Sequence, residues 1–222
     1  FLRAATGANE VIVTIMFNYI AALLLGWLLK TPILQAPGAV NPISAAVNDS
    51  AKYPFIFGDQ FRVHAGFIAM LLAVVAVWWL LNRSSIGFQF RALGHNPNAA
   101  KTAGINIGLT FVLVMAVSGA LSGLAGTTQI LGTEKFLTTG VAASYGFDAI
   151  TVALLGRNNP WGVLVAGILF GGLRAGAVTM QASQGVPIDI VLVVQSMIVL
   201  FIAAPPLVRA MFRLKDKKGG AK

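Results

Sequence analysis

Side chains able to make or break covalent bonds are scarce in this sequence, and those present suit recognition. No cysteine occurs among the 222 residues, which removes disulfide frameworks, thiolate nucleophiles and cysteine metal sites together. Two histidines, His64 and His95, do not make a histidine-rich metal site by themselves, and no paired carboxylates or metal ligands converge. The pattern G-x-x-x-x-G-K-[ST] is missing, so the chain has no phosphate cradle with which to hydrolyse ATP. What remains is a set of hydroxyls, amides and rings embedded in apolar runs. Thr14, Asn18 and Tyr19 lie in the first run, and Thr14 and Asn18, four apart, share a helical face. Ser118 and Ser122 lie in the third, beside Gly119, Gly123 and Gly126. Gly119-x-x-x-Gly123 fits close helix packing and a small-residue pore lining equally. Phe136, Tyr145 and Phe147 add stacking surfaces.

Three isolated polar residues complete the inventory. Asp148 heads an apolar segment, where it serves as an N-cap or as a direct contact for a solute. Arg174 sits inside an apolar run, and burial and snorkelling are both open to it. Gln195 is a lone polar group suited to a helix–helix hydrogen bond. No chain of acids and histidines runs through the apolar segments, so a proton relay has no carriers.

The elements that hold these groups follow from composition. Hydrophobic residues make up 57% of the chain and charged residues 10%, where a soluble domain carries about a quarter charged. The reading is an all-α polytopic membrane protein. Six apolar runs emerge: 11–29, 63–81, 107–125, 149–156, 161–178 and 188–208. The first, at a 1.5 Å rise per residue, is roughly 28 Å long, about one hydrocarbon core. Trp78 and Trp79 anchor the second at an interface. The fourth is weak, and the TTGVAASYG before it is no lipid-facing backbone. It lines a water-filled cavity or lies against protein.

The net charge of +9 reads as membrane topology and gives no reason to invoke nucleic acid. Eleven basic residues fall on one side: Arg3, Arg83, Arg91, Lys101, Arg157, Arg209, Arg213, Lys215, Lys217, Lys218 and Lys222. Lys30, Lys52, Arg62 and Lys135 fall on the other. The basic-rich side is cytoplasmic. Both ends then lie inside, so the weak fourth segment must cross as a broken element. Residues 1–208 form one membrane domain and 209–222 a basic cytoplasmic tail. The chain starts at Phe1 and enters a span almost at once, and is expected to be the later part of a longer protein. The outer connection, 30–62, contains Pro32, Pro37, Pro42 and Pro54 and reads as an extended external hairpin.

The polar interruption FRALGHNPNAAKTAGI, residues 90–105, encodes a short helix. Asn96 is the N-cap, Pro97 the first helical residue and Gly104 the C′ residue. About two turns long, it is too short to stand alone in water. Ala99, Ala100 and Ala103 make a small-residue face, flanked by Arg91 and Lys101, on which a partner with acidic groups can close. A capped rod bordered by Gly94 and Gly104 is suited to transmit force.

These motifs carry a resemblance. RALGHNPNAAKTAGI, then SGALSGLAG, then GFDAITVALLGRNNPWGVLVAGILFGGLRAG resemble the permease subunits of bacterial ABC importers for simple sugars and nucleosides. ATGANEVIVTIMFNYIA at the start is similar to the nucleoside branch. The resemblance covers essentially the whole chain and implies the C-terminal portion of such a subunit, in the bacterial cytoplasmic membrane. It implies that Arg91, Gly94, Asn96, Pro97, Ala99, Ala100, Lys101, Ala103 and Gly104 form the coupling segment for a separate cytoplasmic ATPase. That ATPase uses ATP and magnesium, and this chain binds no cofactor. A second permease subunit and an extracytoplasmic substrate-binding lipoprotein are the further partners implied. Thr14, Asn18, Tyr19, Ser118, Ser122, Phe147 and Asp148 are then candidates for the translocation path. Their hydroxyls and amides suit a ribose, and the rings suit a base. The alternative cargo is a monosaccharide such as ribose or galactose. An ion-coupled carrier or channel, of a different class, requires ionisable pairs within the membrane, and Arg174 reads as solitary.

Overall fold

The computed structural model describes residues 7, 9–56, 58, 63–142, 145–185, 187 and 189–203. The basic tail, Arg3 and Arg62 fall outside them. The described residues form α1 (Glu10–Leu28), α2 (Gly66–Arg83), α3 (Ser85–His95), α4 (Pro97–Thr102), α5 (Ile107–Thr128), α6 (Tyr145–Leu155), α7 (Pro160–Gln184) and α8 (Asp189–Ala203). A π-helical turn, Gln129–Glu134, prolongs α5. Four of these helices are long and apolar enough to cross a membrane: Val11–Leu28, Gly66–Arg83, Ile107–Glu134 and Pro160–Gln184. At most 17% of any of these windows is buried within the chain, as befits helices whose apolar faces meet lipid or other subunits. The fourth apolar run is the expected broken element, since 11 residues reach roughly 16 Å, about half a hydrocarbon core.

Asparagines cap the starts of several helices. Asn9 accepts from the Val11 amide at 3.0 Å, Asn106 from Leu109 at 3.1 Å and Asn159 from Trp161 at 3.1 Å. Each answers an amide that a helix start leaves without a partner.

The chain divides into two compact units, Phe1–Ala143 and Ser144–Lys222. In the first, α2 turns sharply into α3. The Ser84 hydroxyl donates to the Leu80 carbonyl at 2.6 Å and accepts from the Gly87 amide at 3.0 Å. The backbones approach so closely that a Cβ at position 87 would stand 2.0 Å from the Leu80 oxygen. The helices α3, α4 and α5 pack together beyond this bend, with Leu93, Ala100 and Thr110 buried.

At the far end of α2 and α5 the long connection is pinned down and does not stand off as a free hairpin. Ser44 donates its amide to Leu137 O at 3.0 Å, Val47 to Lys135 O at 2.9 Å and Tyr53 to Leu131 O at 3.1 Å. The His64 ring wedges between Gly66 and Gly132, where a Cβ at either position would come within 2.6 Å of it. Tyr53 stacks on its face at a 6.2 Å centroid distance, and its Nδ1 accepts from the Gly66 amide at 3.2 Å. Lys135 closes the π turn in the left-handed region, φ 62, with its ammonium 5.8 Å from the Phe55 ring. In this loop Asp49 opens a 3-10 turn, and its carboxylate meets Lys52 at 2.5 Å. The hydrogen bond and charge of Lys52 hold Asp49 below the usual carboxylate range. Its small stabilisation is present above the ordinary carboxylate pKa and lost as pH falls through the depressed one.

In the second unit α6 and α7 form a hairpin around the sequence GRNNP. Arg157 and Asn158 are left-handed at φ 53 and φ 54, and a Cβ at Gly162 would lie 2.3 Å from the Gly156 oxygen. α8 packs on both helices.

Gly87 and Gly94 share α3 but not an environment, since a Cβ at Gly94 meets nothing within 4 Å. Gly87→Ala is expected to cost roughly 1–3 kcal/mol through overpacking. Gly94→Ala is expected to gain up to about 1 kcal/mol of helix propensity. Thermal melts of the two variants in detergent check this, and equal melting temperatures would contradict the close approach at Leu80.

Candidate functional site

The α3–α4–α5 corner gathers the residues of the polar interruption. Asn96 accepts from the Asn98 amide at 3.0 Å and from the Ala99 amide at 3.2 Å, and Pro97 occupies the first turn. Gly104 is left-handed at φ 82, and its amide donates to Lys101 O at 3.0 Å. The expected rod is present with its caps. Two features differ from expectation.

The rod is the second of two helices, because α3 precedes it. The sequence carries a signal for α3: Ser84 as N-cap, with Ile86, Phe90 and Leu93 at the four- and three-residue spacing of one helical face. The alanine face is also not uniformly open. Ala100 is only 3% exposed, so it seats α4 on the chain and is not available to a partner. Ala99 and Ala103, four apart, remain exposed with Lys101. Arg91 is exposed too, and its guanidinium reaches Asn82 Oδ1 at 3.4 Å.

The second constellation lies in the other unit. Asp148 was a candidate cap for 149–156, but α6 begins at Tyr145, so Asp148 sits within the first turn. Its Oδ2 accepts from Arg174 Nη1 of α7 at 2.5 Å. The capping role is therefore corrected. A carboxylate inside the first turn still faces the positive end of the helix. The Arg174 guanidinium carbon stands 4.6 Å over the Tyr145 ring centroid, a cation–π contact. Arg174 is thus neither solitary nor snorkelling alone, and the apolar segments hold an ionisable pair. Lack of such pairs no longer counts against an ion-coupled carrier. Phe147, on the same helix, is 73% exposed.

The remaining path candidates stay on separate elements. Thr14, Asn18 and Tyr19 lie on α1 and are exposed, as are Ser118 and Ser122 on α5. The Thr14 hydroxyl donates to Val11 O at 3.1 Å. Gly119 and Gly123 have no described neighbour within 4 Å of a Cβ, so close packing at that pattern is not made among the described residues. Gln195 on α8 is buried at 8% exposure. Among the described residues no group of three or more His, Cys, Asp or Glu gathers as a metal site. Sequence reasoning missed the His64 wedge, since nothing local announces that two distant glycines leave room for one ring.

Comparison with known proteins adds a family to this geometry. Residues 1–203 match the family described as branched-chain amino acid transport system / permease component. The chain is 38% identical over 98% of its length to the guanosine ABC transporter permease protein NupP of Bacillus subtilis. It is 34% identical over 95% to the nucleoside ABC transporter permease protein NupB of Lactococcus lactis. It is 32% identical over 91% to the glucose ABC transporter permease protein TsgB13 of Haloferax volcanii. The chain spans 63%, 59% and 55% of those three proteins, respectively. No solved structure matches. A multi-pass helical membrane chain matched over nearly all its length in this way belongs to the branched-chain amino acid transport system / permease component family.

Proposed function

We propose that this chain is the membrane-spanning, non-catalytic part of an ABC importer that carries nucleosides across a bacterial cytoplasmic membrane. The observation that carries the reading is the 38% identity, over 98% of the chain, to a guanosine permease. ATP and magnesium are then used by a separate cytoplasmic ATPase. A second permease subunit completes the path, and an extracytoplasmic binding protein delivers cargo to it. Residues 1–208 act as the permease domain and 209–222 as a basic tail, with both ends of this segment on the cytoplasmic side, in keeping with the basic residues near α3 and α4.

In this reading the ATPase closes on the α3–α4 corner. Ala99 and Ala103 admit the close approach of another backbone, Lys101 and Arg91 meet its acidic groups, and Asn96, Pro97, Gly94 and Gly104 set the shape of the lever. Ala100 contributes from beneath, by holding the rod on α3 and α5. The corner suits the work because every part of it is tied down: the bend at Ser84, the cap at Asn96 and the cap at Asn106 leave little slack to absorb a push. Thr14, Asn18, Tyr19, Ser118, Ser122, Phe147 and Asp148 contribute polar and stacking surface to the path. A monosaccharide is the second reading for the cargo, supported by 32% identity to a glucose permease.

Two measurements test these assignments. Ala103→Glu is expected to leave the permease folded and to reduce ATP-driven uptake at least about tenfold by blocking the docking face. Ala100→Glu places a carboxylate in a buried site and is expected to lower the yield of folded protein itself. Normal uptake by the Ala103 variant would remove the lever. Uptake of labelled guanosine, glucose and leucine by the complete system decides the cargo, with guanosine expected, and uptake of glucose or leucine without guanosine contradicting the nucleoside reading.

A further inference from the structure

Asp148 and Arg174 pose a physical question that the fold alone does not answer. A charged side chain within a bilayer is costly unless it meets a partner or water, and here a carboxylate and a guanidinium meet each other. Their side chains nevertheless stay 29% and 36% exposed in the chain. Arg174 lies midway along the 25-residue α7, so this exposed face is poorly suited to lipid. It belongs against a water-filled path or another protein surface.

The chemistry displayed on that face is specific. The contact to Asp148 uses one nitrogen of a guanidinium that carries five N–H donors. A carboxylate has about four lone-pair positions and can accept two neighbouring hydroxyls at once. Tyr145 lies under the guanidinium, and the exposed Phe147 ring is on the same helix. Donors, a two-oxygen acceptor and aromatic faces together recognise a ring bearing vicinal hydroxyls. That group is common to guanosine and glucose, the cargoes named for two of the similar permeases.

We infer that Tyr145, Asp148 and Arg174 form a contact point of the translocation path that takes the vicinal diol of a ribosyl or pyranosyl cargo, the carboxylate accepting its hydroxyls and the guanidinium donating to its oxygens. This rests on the importer reading above. The pair keeps the site intact when empty, since each partner offsets the other's charge. The cargo then exchanges one set of hydrogen bonds for another, which keeps binding weak enough for release.

The test uses the complete permease with its ATPase and binding protein in proteoliposomes. Uptake of guanosine is compared with 2′,3′-dideoxyguanosine, or of glucose with 2-deoxyglucose if glucose is what the wild type carries. The binding protein is the same in every arm, so any change in the ratio belongs to the permease. Asp148→Asn is expected to lower uptake of the diol-bearing cargo about tenfold, as loss of a hydrogen bond to a charged acceptor does, and to narrow its preference over the deoxy analogue. Pairing Asp148→Arg with Arg174→Asp restores the ion pair and is expected to recover folded protein but not the preference. Recovery of both uptake and preference by that exchange would reduce the pair to a structural latch and overturn the inference. So would an unchanged ratio in Asp148→Asn, with the nucleoside reading left standing. A wild type that carries neither guanosine nor glucose overturns both.

Discussion

Hydrocarbon offers no hydrogen bonds, and that single condition shapes the apolar helices of this chain. A backbone amide or carbonyl left without a partner there costs several kcal/mol, so the spans are helices and their ends must be closed by something the sequence supplies. Asn9, Asn106 and Asn159 close three helix starts, and Asn96 with Ser84 closes the two at the α3–α4 corner. The same condition explains why Asp148 and Arg174 are found together. Each offsets the other's charge in a setting that offers little water.

Where the helices meet, closeness is set by what is missing from the side chains. Gly87 lets α3 fold back on the Leu80 carbonyl, and Gly156 with Gly162 lets α7 return beside α6. Gly66 and Gly132 make the slot for His64. Among the described residues the buried side chains are correspondingly few, and Ala100, Ala166 and Ala177 are among them. A soluble domain of this size is stabilised by a broad apolar core. Here the apolar surface stays outside, and the chain is held by local closures and narrow contacts.

The reading from residues to elements succeeded where the signal was local. Asn96, Pro97 and Gly104 announced α4, and the structure caps it there. The apolar run from residue 107 began where expected and ran on through a π turn to Glu134. It fell short where the deciding partner lay far along the chain. Asp148 looked like a cap or a solute contact because its near neighbours in sequence hold no basic residue to pair with. The guanidinium it pairs with is 26 residues away. Ala100 looked equivalent to Ala99 and Ala103, and only the packing of α4 on α3 and α5 separated them.

By itself the sequence determined that this is a helical membrane chain, where most of its spans run, and that a capped rod interrupts them near residue 100, because hydropathy and capping act over a few neighbouring residues. The tertiary structure decided which alanine of that rod is hidden, that Arg174 answers Asp148, and that residues 30–56 are stitched to the end of α5. Those outcomes depend on which distant groups are brought within hydrogen-bond reach, and no short window of sequence contains both members of such a pair.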